Sequence, residues 1–246
     1  MLLSAEGMPA AGCASSRDTQ PHAMSAAAHE SVAGQHERAA ATHEAARSPQ
    51  AVEERAGCAA PVLGAQVCWS AARTDPDEHA AQAEEHRRIA AEHRAASAAL
   101  RAAEASACAT IASDDRDISP FEHVEDVAAV EPLYEMVTVS KETSPRLVGA
   151  SVLFRPVPGL TIERLQQIID CHLARNAALG HNTSRMPDCP LVPAGVSAAV
   201  EQTPTGLVVL LRAADPATAR EVLERAERLS KASLRTSVRA VKGPLL

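Results

Sequence analysis

Residues 84–101 read EEHRRIAAEHRAASAALR and belong to a longer segment with a strict repeat. A Glu-His pair recurs there every seven residues, at 78–79, 85–86 and 92–93. Alanine fills half of the positions between the pairs, and alanine has the highest helix propensity of all residues. A proline and two acidic residues follow Asp75, as is typical of the first turn of a helix. The pattern predicts one long helix over residues 76–107.

Residues 21–47, PHAMSAAAHESVAGQHERAAATHEAAR, carry the same interval of seven with histidine placed before glutamate. Reversing the direction of a chain converts one order into the other, which favours an antiparallel hairpin of two helices. In that arrangement the residue numbers of facing histidines add up to 122. The facing pairs, which we call rungs, are His29 with His93, His36 with His86, and His43 with His79.

The histidines fall on a small, apolar face of both helices. With histidine as position a of a heptad, the d and e positions are mostly alanine, as in a narrow coiled-coil contact. These positions are Val32, Ala39, Ala46, Ala26, Ala33 and Ala40 in the first helix and Ile89, Ala96, Ala103, Ala83 and Ala90 in the second. Arg87, Arg88 and Arg94 lie off this face. The pattern predicts two helices that approach closely along a histidine-rich contact line.

Metal binding is the most specific function that these histidines indicate. Imidazole is a common ligand of copper, zinc and nickel, and a carboxylate either completes the coordination shell or orients the ring. Histidines seven residues apart lie about 10.5 Å apart along a helix, so they cannot share one ion. Each rung would instead form its own site, which suits metal buffering rather than catalysis. The neighbouring carboxylates are Glu30, Glu37, Glu44, Glu78, Glu85 and Glu92.

Two other interpretations of the rungs stay open. Histidine can fill a helix contact as a neutral, hydrogen-bonded spacer packed on alanine, in a structural or protein-interaction module that binds no metal. The rungs can also form a pH-responsive contact, because a protonated pair places two positive charges face to face. The HExxH pattern of zinc proteases is absent from HESVA, HERAA and HEAAR.

The second half of the chain has the pattern of an α+β domain. Two strands around a Ser-Pro turn precede a helix, and two more strands around a Thr-Pro-Thr-Gly turn precede another. The segments are LYEMVTVS, RLVGASVLFRP and TIERLQQIIDCHLARNAAL, then GVSAAVEQ, GLVVLLRA and ATAREVLERAERL. A ββα-ββα order predicts a four-stranded, mainly antiparallel sheet covered on one face by two helices. The fold class is thus an Ala/His-rich antiparallel helical hairpin followed by a small ββα-ββα domain.

Composition divides the chain into five regions. Residues 1–20 form an anchor and tether region, and 21–108 form the hairpin with an irregular connection that contains Cys58 and Cys68. An acidic linker over 109–131 leads to the domain at 132–230, and 231–246 form a tail.

The cysteines indicate an oxidising compartment. Six cysteines are scattered without a CxxC pair, which excludes a zinc ribbon and a thioredoxin motif and favours disulfides, although free buried thiols are the alternative. We expect Cys171 to pair with Cys189, around a segment in which His172, His181 and Met186 are candidate copper ligands. For the remaining cysteines the candidate pairs are Cys68–Cys108, Cys58–Cys68, Cys58–Cys108 and Cys13–Cys108.

Several function classes lack their sequence signals. A net charge of −7 without a polybasic run argues against nucleic-acid binding. Nucleotide-binding and hydrolase motifs of the types GxxxxGK[ST], GxGxxG and GxSxG are absent. No apolar run approaches the roughly 20 residues of a membrane-spanning helix. We therefore expect a protein that is not an enzyme and has no organic cofactor.

Ala10-Ala11-Gly12-Cys13 resembles the lipobox of bacterial envelope lipoproteins, and a polar tether follows it. The resemblance covers about the first 20 residues, although the basic start and the apolar run of a signal peptide are missing upstream. It implies a signal peptide removed before Cys13, lipidation of Cys13 and a membrane-anchored protein on the periplasmic side of the cell envelope. Together with the rungs, this predicts an envelope protein that binds or buffers a transition metal.

Overall fold

The computed structural model describes residues 24–47, 56–58, 68–70, 76–182 and 186–241. Side chains are described throughout these ranges except in the two short strands at 56–58 and 68–70 and in residues 232–241. The predicted anchor region, with Cys13, lies outside the described residues. Within them, no helix combines the length and the apolar character that crossing a membrane requires.

The two predicted helices form an antiparallel hairpin. Helix α1 spans Ala26–Ala46 and helix α2 spans Pro76–Ala107, and the two pack against each other along their lengths. The bounds predicted for α2 are confirmed. Helix α1 begins at Ala26 rather than at residue 21, because the side chain of Ser25 accepts a hydrogen bond from the backbone N–H of Ala28 and caps the first turn.

The connection between α1 and α2 is more regular than predicted. Strands β1, Ala56–Cys58, and β2, Cys68–Ser70, form a two-stranded antiparallel ribbon. The backbone register places Cys58 directly opposite Cys68. The backbone positions are therefore consistent with the predicted candidate pair Cys58–Cys68.

The second half contains the predicted antiparallel sheet. Its strands are β3 (Val127–Val139), β4 (Glu142–Phe154), β5 (Val196–Thr203) and β6 (Gly206–Ala213), in the spatial order β3-β4-β6-β5. Every neighbouring pair is antiparallel. The predicted α+β fold, a helical hairpin followed by a ββα-ββα domain, is therefore observed.

Strands β3 and β4 are longer than predicted. They are joined at Ser140 and Lys141, both of which have positive φ, as in the tight hairpin turns that match strand twist. The Ser-Pro pair predicted as the turn lies inside β4 instead. Because β6 pairs with β4 only over residues 149–154, the outer part of this ribbon extends beyond the sheet and exposes Tyr134 and Met136.

Two helices cover one face of the sheet. Helix α3 spans Ile162–Ala178 and helix α4 spans Pro216–Val241, so residues 231–241 of the predicted tail continue the last helix. The inward side chains of the strands and the apolar stripes of both helices form one cluster. Its members include Ala150, Val152, Phe154, Leu165, Ile169, Val209, Leu211, Val222, Ala226 and Leu229.

The segment predicted as an acidic linker is part of the folded domain. It contains two short 3-10 turns, Ser113–Asp115 and Val124–Asp126, and β3 begins before its predicted end. Phe121 is among the most deeply buried side chains and stacks on Phe154, with ring centroids 5.7 Å apart. Burial of one aromatic ring and of Ile111 outweighs the polar character of the surrounding sequence.

A disulfide joins the hairpin to the domain. Cys108, which follows the last residue of α2, is bonded to Cys171 in α3. Cys189 is a free, buried thiol. The predicted pairs Cys171–Cys189 and Cys68–Cys108 are therefore wrong, because docking of α2 against α3 places Cys108 next to Cys171. The expected Cys13–Cys108 and Cys58–Cys108 alternatives fail for the same reason.

Two further contacts fix this joint. Arg175 of α3 forms ion pairs with Glu104 of α2 at 2.6 Å and with Asp117 at 2.7 Å. Gly180, at φ +72°, ends α3 against the start of α1, where an added Cβ would lie 2.8 Å from the backbone nitrogen of Ser25. Only glycine fits both the left-handed backbone and this close approach.

Candidate metal centre

Histidines face each other across the hairpin in the register predicted from the sequence. The Nδ1 atoms are 2.8 Å apart in the rung His29–His93, 2.9 Å apart in His36–His86 and 3.2 Å apart in His43–His79. The hairpin therefore brings together, two by two, all six of its histidines that sequence reasoning had selected.

The two rings of a rung share one proton. At these separations one Nδ1 donates its N–H and the facing Nδ1 accepts with its lone pair. Each neutral rung thus combines one ring protonated at Nδ1 with one ring protonated at Nε2. Two ring nitrogens converge on a single point between the helices, and this convergence is what a bridging cation would use.

Rings of neighbouring rungs stack on one another. The His36 and His93 centroids are 6.2 Å apart with 13° between the ring planes, and those of His43 and His86 are 5.4 Å apart with 18°. Hydrogen bonds and stacking contacts therefore alternate along one column of imidazole rings. The stacking fixes the planes of these rings, so that the Nδ1 atoms keep facing across the hairpin.

Small residues behind the column hold the helices close together. The buried positions of this contact are Ala26, Ala33, Ala40, Ala83, Ala90 and Ser97. These are the e positions of the heptads, whereas the predicted d positions, such as Val32 and Ile89, are only partly buried. The contact line therefore runs through positions a and e. A larger side chain at an e position would push the rungs apart.

The glutamates next to the histidines of α1 bind arginines of α2. Glu44 pairs with Arg87 at 2.9 Å, Glu30 pairs with Arg101 at 3.7 Å, and Glu37 pairs with Arg94. The hydrogen bond from Arg87 lowers the pKa of the Glu44 carboxyl. The expectation that these carboxylates complete a metal shell is therefore not supported, since guanidinium groups already occupy them.

The glutamates of α2 are engaged within their own helix. Arg88 pairs with both Glu85 and Glu92, and its hydrogen bond lowers the pKa of Glu85. Glu78 accepts a hydrogen bond of 3.2 Å from Gln82. Within the described ranges, no group of three or more His, Cys, Asp or Glu side chains could hold one metal ion. A rung therefore offers two nitrogen ligands and no carboxylate.

The second predicted copper site is not assembled. The His172 ring is buried with its Nε2 3.4 Å from the Sγ of Cys189, while the His181 Nδ1 donates to the carbonyl oxygen of Val192 at 2.9 Å. Met186 packs against the domain core, and its carbonyl accepts from Arg225. The three predicted ligands thus have three different partners, because each serves the packing of the segment that leaves α3.

The buried pair of His172 and Cys189 lacks the properties of a catalytic dyad. Burial, and to a smaller extent the charge of Arg175, lower the pKa of His172 to about 4, although the charge of Asp117 opposes them. Burial also raises the pKa of the Cys189 thiol. A neutral imidazole beside a protonated thiol forms no thiolate nucleophile, which needs a depressed pKa and access to substrate.

Sequence reasoning missed the arginine partners of the hairpin. The residue numbers of the cross-helix ion pairs add up to 131 in each case, and both members recur every seven residues, as the histidines do. This sum differs from the 122 of the rungs, so only the shared interval of seven and the antiparallel direction of the helices pointed to these pairs. No comparable pattern in the sequence indicated that Cys108 would be bonded to Cys171.

Comparisons with protein-family models, with curated proteins and with solved structures gave no match for this chain.

Proposed function

We propose that this protein is a non-enzymatic envelope protein that binds and buffers a transition metal, copper, zinc or nickel, at the histidine rungs of its hairpin. The observation that carries the proposal is the convergence of two Nδ1 atoms in each rung, at 2.8 to 3.2 Å. Imidazole nitrogen is a preferred ligand of all three metals. Separate rungs of equal composition give a capacity of several ions at similar affinity, which is the property of a buffer.

Metal binding at a rung requires a small rearrangement. The shared proton leaves the space between the rings, because both lone pairs are needed by the cation. The ring that carried this proton at Nδ1 becomes protonated at Nε2 instead, so a neutral rung releases no net proton. The rings also move apart, since two bonds of about 2 Å that meet at the tetrahedral angle separate the nitrogens by about 3.3 Å.

The competing function is a structural or protein-interaction module. It is favoured by the same hydrogen bonds, because each Nδ1 already has a partner and needs no metal. In that case the hairpin docks a protein partner, and the rungs only set the register of the helices. The two functions differ in one measurable property, which is the affinity of the rungs for metal ions.

Calorimetric titration with copper, zinc and nickel separates the two functions. We expect about three equivalents to bind to the intact chain and about two to His36→Ala/His86→Ala, which removes the central rung. Replacement of the exposed His123 by alanine is the matched control and leaves the stoichiometry unchanged. The absence of binding tighter than millimolar for all three metals would contradict metal buffering and leave the interaction module.

The envelope location has its own test. The Cys108–Cys171 disulfide supports an oxidising compartment, and the lipobox-like segment supports a lipid anchor at Cys13. Mass spectrometry of the mature protein is expected to find an N-terminal, lipid-modified Cys13. Unmodified Cys13 within a longer mature chain would rule out the anchor without bearing on the metal.

A further inference from the structure

We infer that the rungs select a monovalent, two-coordinate ion of the d10 class, Cu(I) or Ag(I), over Zn(II) and Ni(II). This inference rests on the proposed metal-binding function and makes it more specific. Three properties of the described hairpin carry it: the number of ligands at a rung, the engagement of the neighbouring carboxylates and the direction in which the two nitrogens point.

The ligand number matches a two-coordinate ion. A rung supplies two imidazole nitrogens, and the described residues contain no third His, Cys, Asp or Glu that could join them at one ion. Structural zinc sites use four protein ligands and catalytic ones use three. Zn(II) or Ni(II) at a rung would have to take the rest of its shell from water. Cu(I) and Ag(I) form stable complexes with two neutral donors in line.

The local charge also favours a monovalent ion. Among the glutamates next to the rung histidines, all except Glu78 pair with arginine, as in Glu37–Arg94 and Glu44–Arg87, and Glu78 is hydrogen-bonded to Gln82. A divalent ion would therefore keep both charges between two neutral rings, without an anionic ligand to offset the cost of leaving water. A monovalent ion leaves one charge there.

The direction of the nitrogens suits linear coordination. The Nδ1 atoms of His36 and His86 are 2.9 Å apart and their ring centroids 5.1 Å apart, a combination that requires the two nitrogens to face each other nearly in line, so an ion between them would have its ligands on opposite sides. Two collinear bonds of about 2 Å require about 4 Å between the nitrogens, so each ring moves outward by roughly half an ångström. Both rings are only partly buried, which leaves room for this movement on the solvent side.

Ag(I) is the appropriate probe, because it needs no reductant and therefore leaves the Cys108–Cys171 disulfide intact. The experiment uses the full chain with Cys189 replaced by alanine and all remaining free thiols blocked with N-ethylmaleimide, as verified by mass. We expect about three Ag(I) ions per chain, each with two nitrogen ligands by X-ray absorption. Zn(II) and Ni(II) are expected to bind at least 100-fold more weakly to the same protein.

Two variants test the assignment of the ligands. His36→Gln/His86→Gln, which keeps hydrogen-bonding side chains in the contact, is expected to remove one of the three equivalents while the helix content by circular dichroism stays unchanged. Glu37→Gln changes the residue next to His36 and is the matched control, with Ag(I) affinity expected to stay within about twofold. A loss of affinity in Glu37→Gln, together with an oxygen ligand in the X-ray absorption of the parent protein, would show a carboxylate ligand and overturn the inference.

The outcomes also separate this inference from the proposed function. Tight Zn(II) or Ni(II) binding with four or more ligands, together with weak Ag(I) binding, overturns the selectivity and leaves the metal-buffering function in place. Ag(I) stoichiometry that is unchanged in His36→Gln/His86→Gln overturns the assignment to the rungs. The absence of binding by any of these ions overturns both.

Discussion

Cys108, directly after helix α2, is bonded to Cys171 in helix α3, which lies 63 residues further along the chain. This bond ties the end of the histidine hairpin to the domain that contains the main hydrophobic core. Arg175, one turn after Cys171, adds an ion pair with Glu104 of α2 at 2.6 Å. The hairpin is thus held at its α2 end by covalent and electrostatic links to α3.

Removal of this disulfide is expected to destabilise the protein substantially. Opening a loop of 63 residues gives the unfolded chain additional conformational entropy worth about 4 kcal/mol in the loop-closure model. Urea unfolding of Cys108→Ser/Cys171→Ser measures the change in the free energy of unfolding. Non-reducing peptide mapping of the intact protein should recover the Cys108–Cys171 peptide pair. Recovery of Cys171 linked to Cys189 would contradict the structure.

Replacement of Ser97 by alanine is expected to stabilise the hairpin. Ser97 is completely buried, and its hydroxyl has no hydrogen-bond partner among the described residues. A buried, unpaired hydroxyl costs about 1 to 3 kcal/mol, and alanine fits the row formed by Ala83 and Ala90. Thermal unfolding of Ser97→Ala should therefore show a higher midpoint. Ser106→Ala, at an exposed position of the same helix, is the control, and an equal gain there would refute the explanation.

Arg225 is expected to contribute far more to stability than its neighbour Arg228. The buried Arg225 donates to the carbonyl oxygens of Met186, Pro187 and Cys189, whereas Arg228 pairs with Asp188 at the surface. Loss of Arg225 removes one buried, charged donor from all three carbonyls, each of which keeps one other hydrogen bond, at an expected cost of about 3 kcal/mol in the free energy of unfolding. Arg228→Ala should cost less than about 1 kcal/mol. Chemical denaturation of both variants makes the comparison, and similar losses would contradict the structure.

His172 is expected to make the stability of the domain depend on pH. Its pKa is lowered to about 4 by burial and then by Arg175, against an ordinary value of 6.5. Between pH 6.5 and 4 the unfolded chain binds a proton at this site that the folded protein does not, so folding stability falls as the pH falls. Above pH 6.5 the contribution is constant. The groups that face the ring are Cys189, Arg175 and Asp117.

The contribution of His172 to the pH dependence of stability can be measured by comparison with the variant His172→Gln. A lowering from 6.5 to about 4 corresponds to a loss of up to about 3 kcal/mol across that window. The difference in the free energy of unfolding between the native chain and His172→Gln should therefore shrink by this order as the pH falls from 6.5 to 4. His123→Gln, at an exposed position, serves as control. Parallel pH profiles for the native chain and His172→Gln would refute a neutral, buried His172.

The histidine rungs could be predicted because their information is local and periodic. A spacing of seven sets the face of a helix on which each histidine lies, and the opposite order of His and Glu sets the direction of the partner helix. A single sum of residue numbers, 122, then determines which histidines face each other in every rung. The cross-helix pair Glu37–Arg94 has a different sum of residue numbers, 131 rather than 122, although it repeats with the same interval of seven and the same antiparallel direction.

The strands and helices of the domain were also predictable, since alternating and helical apolar patterns specify which side chains turn inward. The first and last residues of these strands and helices were less predictable. The turn at Ser140 and Lys141 lacks glycine, and the Ser-Pro pair that marked a turn in the sequence lies within β4, where the edge of the ribbon tolerates proline.

The sequence by itself determined the hairpin, its register and the ββα-ββα order, because these depend on residue periodicity within and between neighbouring segments. Only the tertiary structure decided that Cys108 binds Cys171, that Cys189 stays a thiol beside His172, and that Phe121 joins the core. These contacts depend on how α2 docks against α3. That docking minimises the free energy of the whole chain, and no local pattern of residues encodes it.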